Sequence, residues 1–170
     1  MANTYTLIAS STAGSGGVSN ITFSSIPQTF TDLKLVLSIR GSRALVYNVM
    51  KIKFNGVDTN QTSKVIEGNG AAAASFSDTF ISVIMSGASA TANTFGSGEV
   101  YIPNYTSSNY KSVLTDSVAE TNAVTQYIDI VAGLWSSTAA ITSITIDPNV
   151  PPTNTILEHS TAYLYGIKKS

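Results

Sequence analysis

Cysteine is absent from the chain. That excludes disulfide staples, thiolate metal sites and a cysteine nucleophile. Charge is scarce as well: Asp, Glu, Lys and Arg together make up 11% of 170 residues, against about a quarter in ordinary soluble proteins. The nine Lys and Arg residues are scattered, whereas nucleic-acid binding needs a basic stripe that neutralises phosphates. No nucleic-acid partner is therefore expected. No stretch approaches the ~20 apolar residues of a membrane helix, so no membrane partner is expected. Residues 1–4 carry no basic stretch followed by an apolar one, so synthesis in the cytoplasm without a leader is expected. Helical periodicity is nearly absent. Its best candidate is the alanine run 71–74 after Gly68-Asn69-Gly70, which is too short and too glycine-flanked for a stable helix.

The polar surface is instead hydroxyl and amide. Serine and threonine account for 45 residues, beside 43% hydrophobic residues. A chain with a full core and few charges suits a protein that rests against other protein or saccharide. Short runs of β-branched and aromatic residues alternate with Gly, Pro, Asn, Asp and Ser clusters, which is the pattern of strands and turns. Leu33, Leu35, Leu37 and Ile39 occupy every second position, with Lys34, Ser38 and Arg40 between. That period of two buries one face. Met50, Ile52 and Phe54 repeat it, and Asn55-Gly56 follows, predicting a tight hairpin turn within 49–67. Residues 79–85 read as a strand buried on both faces. Further strands are expected at 4–9, 18–23, 99–102, 111–118, 127–132, 141–146 and 160–167. Pro148, Pro151 and Pro152 mark a long connection.

About eleven short strands with regular turn signals indicate an all-β sandwich or barrel, and the expected fold is an antiparallel β-sandwich of jelly-roll type. Residues 1–17 read as an N-terminal strand and flexible arm, and 18–170 as the sandwich domain.

The catalytic constellations fail on their own chemistry. His159 is the sole histidine. Its neighbours Glu158 and Ser160 point to opposite faces of a strand, so they cannot form a relay with it. Asp116 and Glu120 are the nearest carboxylates that could share a site, and ordinary surface charge explains them. Gly14-Ser15-Gly16-Gly17 precedes a strand rather than the helix a phosphate-cradling loop requires. Neither an enzyme, a metal site nor a cofactor is expected. Tyrosine, with eight residues, is the enriched aromatic. Tyr101, Asn104, Tyr105 and Tyr110 fall together, and Arg40 and Arg43 bracket a turn. Tyrosine beside Asn and Ser gives rigid contact area with hydrogen bonding at the tip, so these six are the expected interface residues. Trp135 is expected in the core or at its rim.

Several segments together resemble a known group: Ile21-Thr22-Phe23-Ser24-Ser25-Ile26-Pro27 with Asp32-Leu33, Phe54-Asn55-Gly56, Tyr101-Ile102-Pro103-Asn104-Tyr105, Ala132-Gly133-Leu134-Trp135, Ile141-Thr142-Ser143-Ile144 and Leu164-Tyr165-Gly166-Ile167. From about residue 18 the chain resembles small all-β virion proteins of tailed bacteriophages, especially those of cyanobacteria. The resemblance implies a capsid decoration (cement) protein or a tail or fibre component and does not decide between head and tail; the expected role is a decoration protein on the outer surface of an icosahedral head. It would bridge capsomers of the major capsid protein, as a homotrimer. The alternative it implies is a receptor- or carbohydrate-binding module of a tail fibre, with a glycan at the Tyr101 segment. No catalytic residue comes with it.

Overall fold

The computed structural model describes residues 4–120, 122, 126–148 and 153–168. Part of the expected proline-rich connection (149–152) and Lys169 lie outside the described residues.

Among the described residues, twelve strands form two antiparallel sheets. They are β1 (Tyr5–Thr12), β2 (Ile21–Phe23), β3 (Asp32–Ile39), β4 (Tyr47–Phe54), β5 (Gln61–Gly68), β6 (Ala73–Asp78), β7 (Ser82–Ser86), β8 (Gly96–Ile102), β9 (Lys111–Ala119), β10 (Tyr127–Trp135), β11 (Ile144–Asp147) and β12 (Thr161–Ile167). The large sheet runs β1-β12-β3-β8-β9-β10-β5-β6 and the small one β2-β11-β4-β7. This is the expected antiparallel β-sandwich. The sheets are unequal, with eight and four strands, and this strand order does not establish the expected jelly-roll connectivity.

Alternation builds the core as expected. Leu33, Leu35, Leu37 and Ile39 from β3 meet Met50, Ile52 and Phe54 from β4, all at most 2% exposed. Phe54 and Trp135 pack ring to ring, with centroids 5.4 Å apart, which places Trp135 in the core.

Strand β7 is buried on both faces, and small residues make room for it. A Cβ on Gly96 would lie 2.7 Å from the Met85 Cα, and one on Gly98 would lie 2.6 Å from the Met85 Cε. Side chains of the large sheet also serve β7's free edge. Thr115 Oγ1 donates to the Ser82 carbonyl at 2.9 Å, and Ser117 Oγ accepts from the Ile84 N–H at 2.9 Å. Gln61 stitches the same seam, donating to the Ile52 carbonyl at 3.0 Å and accepting from the Ile81 N–H at 2.9 Å. Backbone groups that lie between sheets cannot stay unpaired when buried. The serines and threonines abundant in the sequence thus work inside the molecule as well as on its surface.

Two expectations change. Asn55-Gly56 does form a tight turn, with φ of 52° and 82° and reciprocal Phe54–Val57 backbone bonds of 3.1 Å. The chain does not fold back as a hairpin, however. β4 pairs with β11 and β7, while β5 crosses to the large sheet and pairs with β10 and β6. The alanine run, discounted as a helix, leads into a strand: Asn69 Oδ1 accepts from the Ala71 and Ala72 N–H groups at 3.0 and 2.8 Å, and β6 follows as an edge strand. The N-terminal strand is longer than expected. It pairs with β12 through Thr12, and Ala13 enters the core. The supposed arm reduces to a turn at 14–17, closed by the Gly17 N–H to Gly14 carbonyl bond of 2.9 Å.

Candidate interaction surface

The six expected interface residues do not form one site. Arg40 follows the end of β3 opposite to Asp32, the residue that bonds Tyr101 and Asn104. An eight-residue strand spans roughly 25 Å, so the arginines and the tyrosines lie at opposite ends of the sandwich. Arg40 is also internal, at 9% exposed. Its Nη1 donates to the carbonyls of Thr91 and Thr94 at 2.8 and 2.9 Å and to Thr94 Oγ1 at 3.2 Å. Its Nη2 donates to the carbonyls of Ala88 and Ala90 at 3.1 and 2.9 Å. A planar fork of donors inside a loop satisfies carbonyls that no strand reaches, and this explains its burial. Arg43 is half-buried, with its guanidinium 5.1 Å from the centre of the Tyr47 ring.

Tyr105 is likewise a core residue. It is fully buried, its hydroxyl donates to the Pro27 carbonyl, and its own carbonyl accepts from the Ile141 N–H at 3.0 Å. A ring that closes the end of the sandwich cannot offer contact area. Asn104, at φ 49°, is exposed in a turn, with its N–H on Asp32 Oδ1 at 2.8 Å. Tyr110 is 59% exposed. Behind them the buried Lys111 ammonium donates to the carbonyls of Ser107, Ala139 and Ser137 at 2.7, 2.6 and 3.3 Å. It ties the 104–110 loop to the 136–141 loop. Ser160 turns into the core and bonds the Arg40 backbone at 3.1 Å, away from the exposed His159. Asp116 projects from β9, while Glu120 lies past its end and accepts the Asn122 N–H at 2.7 Å.

Tyr101 leads to a surface the sequence reading did not assemble. Its hydroxyl is fixed to Asp32 Oδ2 at 2.8 Å, and it stands on the outer face of the large sheet. Cross-strand register carries that face through Tyr101, Leu114, Ala132 and Lys64 in one row. The next row is Glu99, Asp116, Ile130 and Ile66, and the one after it Ser97, Val118, Ile128 and Gly68. Tyr101, Val118, Ile130, Leu114, Ile128 and Ile66 are 37, 37, 50, 52, 53 and 62% exposed. They form one contiguous apolar strip centred on β10. Beside it an open hollow of about 760 Å³ is lined by Tyr101, Pro103, Leu114, Leu134, Thr62 and Lys64, among others. The signal in the sequence was that β9 and β10 carry apolar residues at both parities, Val113 with Leu114 and Ile130 with Val131. On β3 every outward position but Val36 is polar.

The inner side of β10 holds the strongest electrostatic perturbation among the described residues. Asp129 is 6% exposed. Its cross-strand neighbours are Ser117 on β9 and Glu67 on β5, and its Oδ1 has no hydrogen-bond partner. Burial, with the Glu67 charge beside it, pushes its carboxyl up to about 7. The nearby Tyr127 hydroxyl is also pushed up, chiefly by burial. Among the described residues no three His, Cys, Asp or Glu side chains stand together as metal ligands, and no helix is long and apolar enough to cross a membrane. The chain matches no protein-family model, no curated protein and no solved structure.

Proposed function

We propose that this protein is a structural component of a virion, a decoration protein that binds the outer surface of a tailed-phage head and acts by contact area without chemistry. The observation that supports the reading is the apolar outer face of the large sheet. Soluble monomers rarely expose a contiguous apolar patch beyond a few hundred Å², and interfaces are depleted of charge at their centres. A face built from Ile66, Leu114, Val118, Ile128 and Ile130 has that composition. The resemblance of the sequence to small phage virion proteins supplies the partner, the lattice of the major capsid protein. Repetition over a lattice converts modest single contacts into high avidity.

A second reading has its own support. The hollow beside Tyr101 has an aromatic wall and a rim of Thr62, Lys64, Ser77 and Asp78, and a glycan would use such a ring for stacking. In this reading the protein is a receptor-binding module of a tail fibre. Mixing the purified protein with undecorated mature heads tests the first reading. Saturable binding at a fixed ratio to capsomers is expected. Heads that remain bare, with glycans retarding the protein in a Tyr101-dependent way, would replace decoration by the fibre reading.

A further inference from the structure

We infer that the outer face of the large sheet is closed by a second copy of this chain, in a two-fold dimer whose axis runs nearly parallel to β10. The inference rests on the reading of this face as a contact surface and names its occupant.

Size is the first argument. The six exposed side chains from Tyr101 to Ile66 present on the order of 500 Å² of mostly apolar surface, as large as the largest patches of ordinary monomers. With the polar residues that flank them, the face reaches roughly the 800 Å² per partner of a standard stable interface.

Charge placement is the second and names the partner. Two charged groups flank the apolar strip: Asp116 on β9 and Lys64 on β5. Neither has an ion-pair partner among the described residues. Lys64 bonds the Ser77 hydroxyl, at 2.5 Å, and shares the rim of the hollow with Asp78, while Lys34 and Glu99 pair with each other at 2.7 Å and Asp32 holds the Tyr101 hydroxyl. β9 and β5 are the two immediate neighbours of β10, about 4.8 Å to either side of it. A two-fold axis along β10 therefore lays β9 of one copy over β5 of the other. Ile128 and Ile130 then meet their own counterparts on the axis. Asp116 then faces position 66 of the second copy, two residues along β5 from its lysine at position 64, and the long lysine side chain reaches across the roughly 10 Å between the packed sheets. The contact is isologous, so the ion pair forms twice.

A dimer thus replaces the three-fold expectation of the sequence. A two-fold axis needs the acid and the base equidistant from the apolar strand, which they are. A three-fold axis imposes no such spacing.

Sedimentation equilibrium or light scattering of the full chain at tens of micromolar tests the inference. Wild type should be a dimer. Ile130→Glu should be monomeric with an unchanged far-ultraviolet circular dichroism spectrum. Asp116→Lys should weaken dimerisation at least about tenfold, because it sets two cations on each flank, and the double exchange Asp116→Lys with Lys64→Asp should restore it. A monomeric or trimeric wild type overturns the inference, as does a dimer that survives Ile130→Glu or a double exchange that restores nothing. Head binding is read separately. A monomer that decorates heads overturns only the dimer, and a dimer that ignores heads overturns only the decoration reading.

Discussion

Replacing Asp129 by asparagine should stabilise the protein at neutral pH and leave it unchanged in acid. The carboxyl sits on the inner side of β10, 6% exposed, with Glu67 across the strand pair. Its charged form loses water on burial and gains a like charge as neighbour, so it titrates at about 7 instead of 3.8. The sign follows from proton counting. Between these two values the folded state holds a proton that the unfolded state has released. Stability is thus greatest below about pH 4, falls as the pH rises toward 7, and levels out above it. At about 1.4 kcal/mol per pH unit the full difference is about 4 kcal/mol, and partial relaxation around the carboxylate should leave about 1–3 kcal/mol to be observed. Asparagine keeps the shape and never ionises. At pH 8 the variant should melt roughly 3–10 °C above wild type for a domain of this size, and at pH 4 the two curves should coincide. Thermal melts followed by circular dichroism from pH 4 to 8 measure both. A wild-type melting temperature that does not fall between pH 4 and 7, or a variant no more stable than wild type at pH 8, would refute the reasoning. Glu67→Gln should give a smaller change of the same sign, since the Glu67 charge is the lesser cause.

Five further substitutions probe how the sandwich is held. Leu35→Ala should cost about 2–5 kcal/mol, because its side chain is fully buried. Lys34→Ala removes one half-exposed ion pair with Glu99 and should cost less than about 1 kcal/mol in the same chemical denaturation. Lys111→Met keeps the stem but abandons three carbonyls. A loss of about 2–4 kcal/mol is expected, with faster amide exchange in both loops the ammonium joins. Gly96→Ala drives a Cβ into the Met85 backbone and should cost about 1–3 kcal/mol. Gly14→Ala meets open space and should stay within about 0.5 kcal/mol of wild type; equal melting of these two glycine variants would mean that β7 does not pack on β8 as described.

Local chemistry was legible wherever a residue's surroundings are set by its near neighbours in the chain. Strict alternation placed the buried face of β3 because a pleated strand leaves no choice. Asn55-Gly56 announced its turn because only residues tolerant of positive φ fit there. A turn does not say which sheet receives the next strand, though, and β5 left for the large sheet. The alanine run shows a similar limit. Alanine has no side chain to pack, so its helix preference yielded to the Asn69 turn and the ladder with β5.

The six expected interface residues part ways for one physical reason. A tyrosine or arginine has the same composition whether its polar tip meets a partner or a carbonyl of its own chain. Tyr105 and Arg40 found Pro27 and the 88–94 loop, so they became core. Tyr101 found Asp32 with its hydroxyl and left its ring outside. Deciding between these outcomes needs the end of the sandwich at which each residue lies, and that is set by strand order, which is not a local property. Apolar residues at both parities of a strand are the complementary signal. They mean burial on both faces, and within one chain β7 meets that demand by sinking into the glycine trough of β8. β9 and β10 pose the same demand, and the fold covers only their inner side. Their outer residues, Leu114, Val118, Ile128 and Ile130, are thus apolar at positions where this chain elsewhere places serine, threonine or lysine. In the proposed dimer, a second copy of the chain supplies the burial they lack.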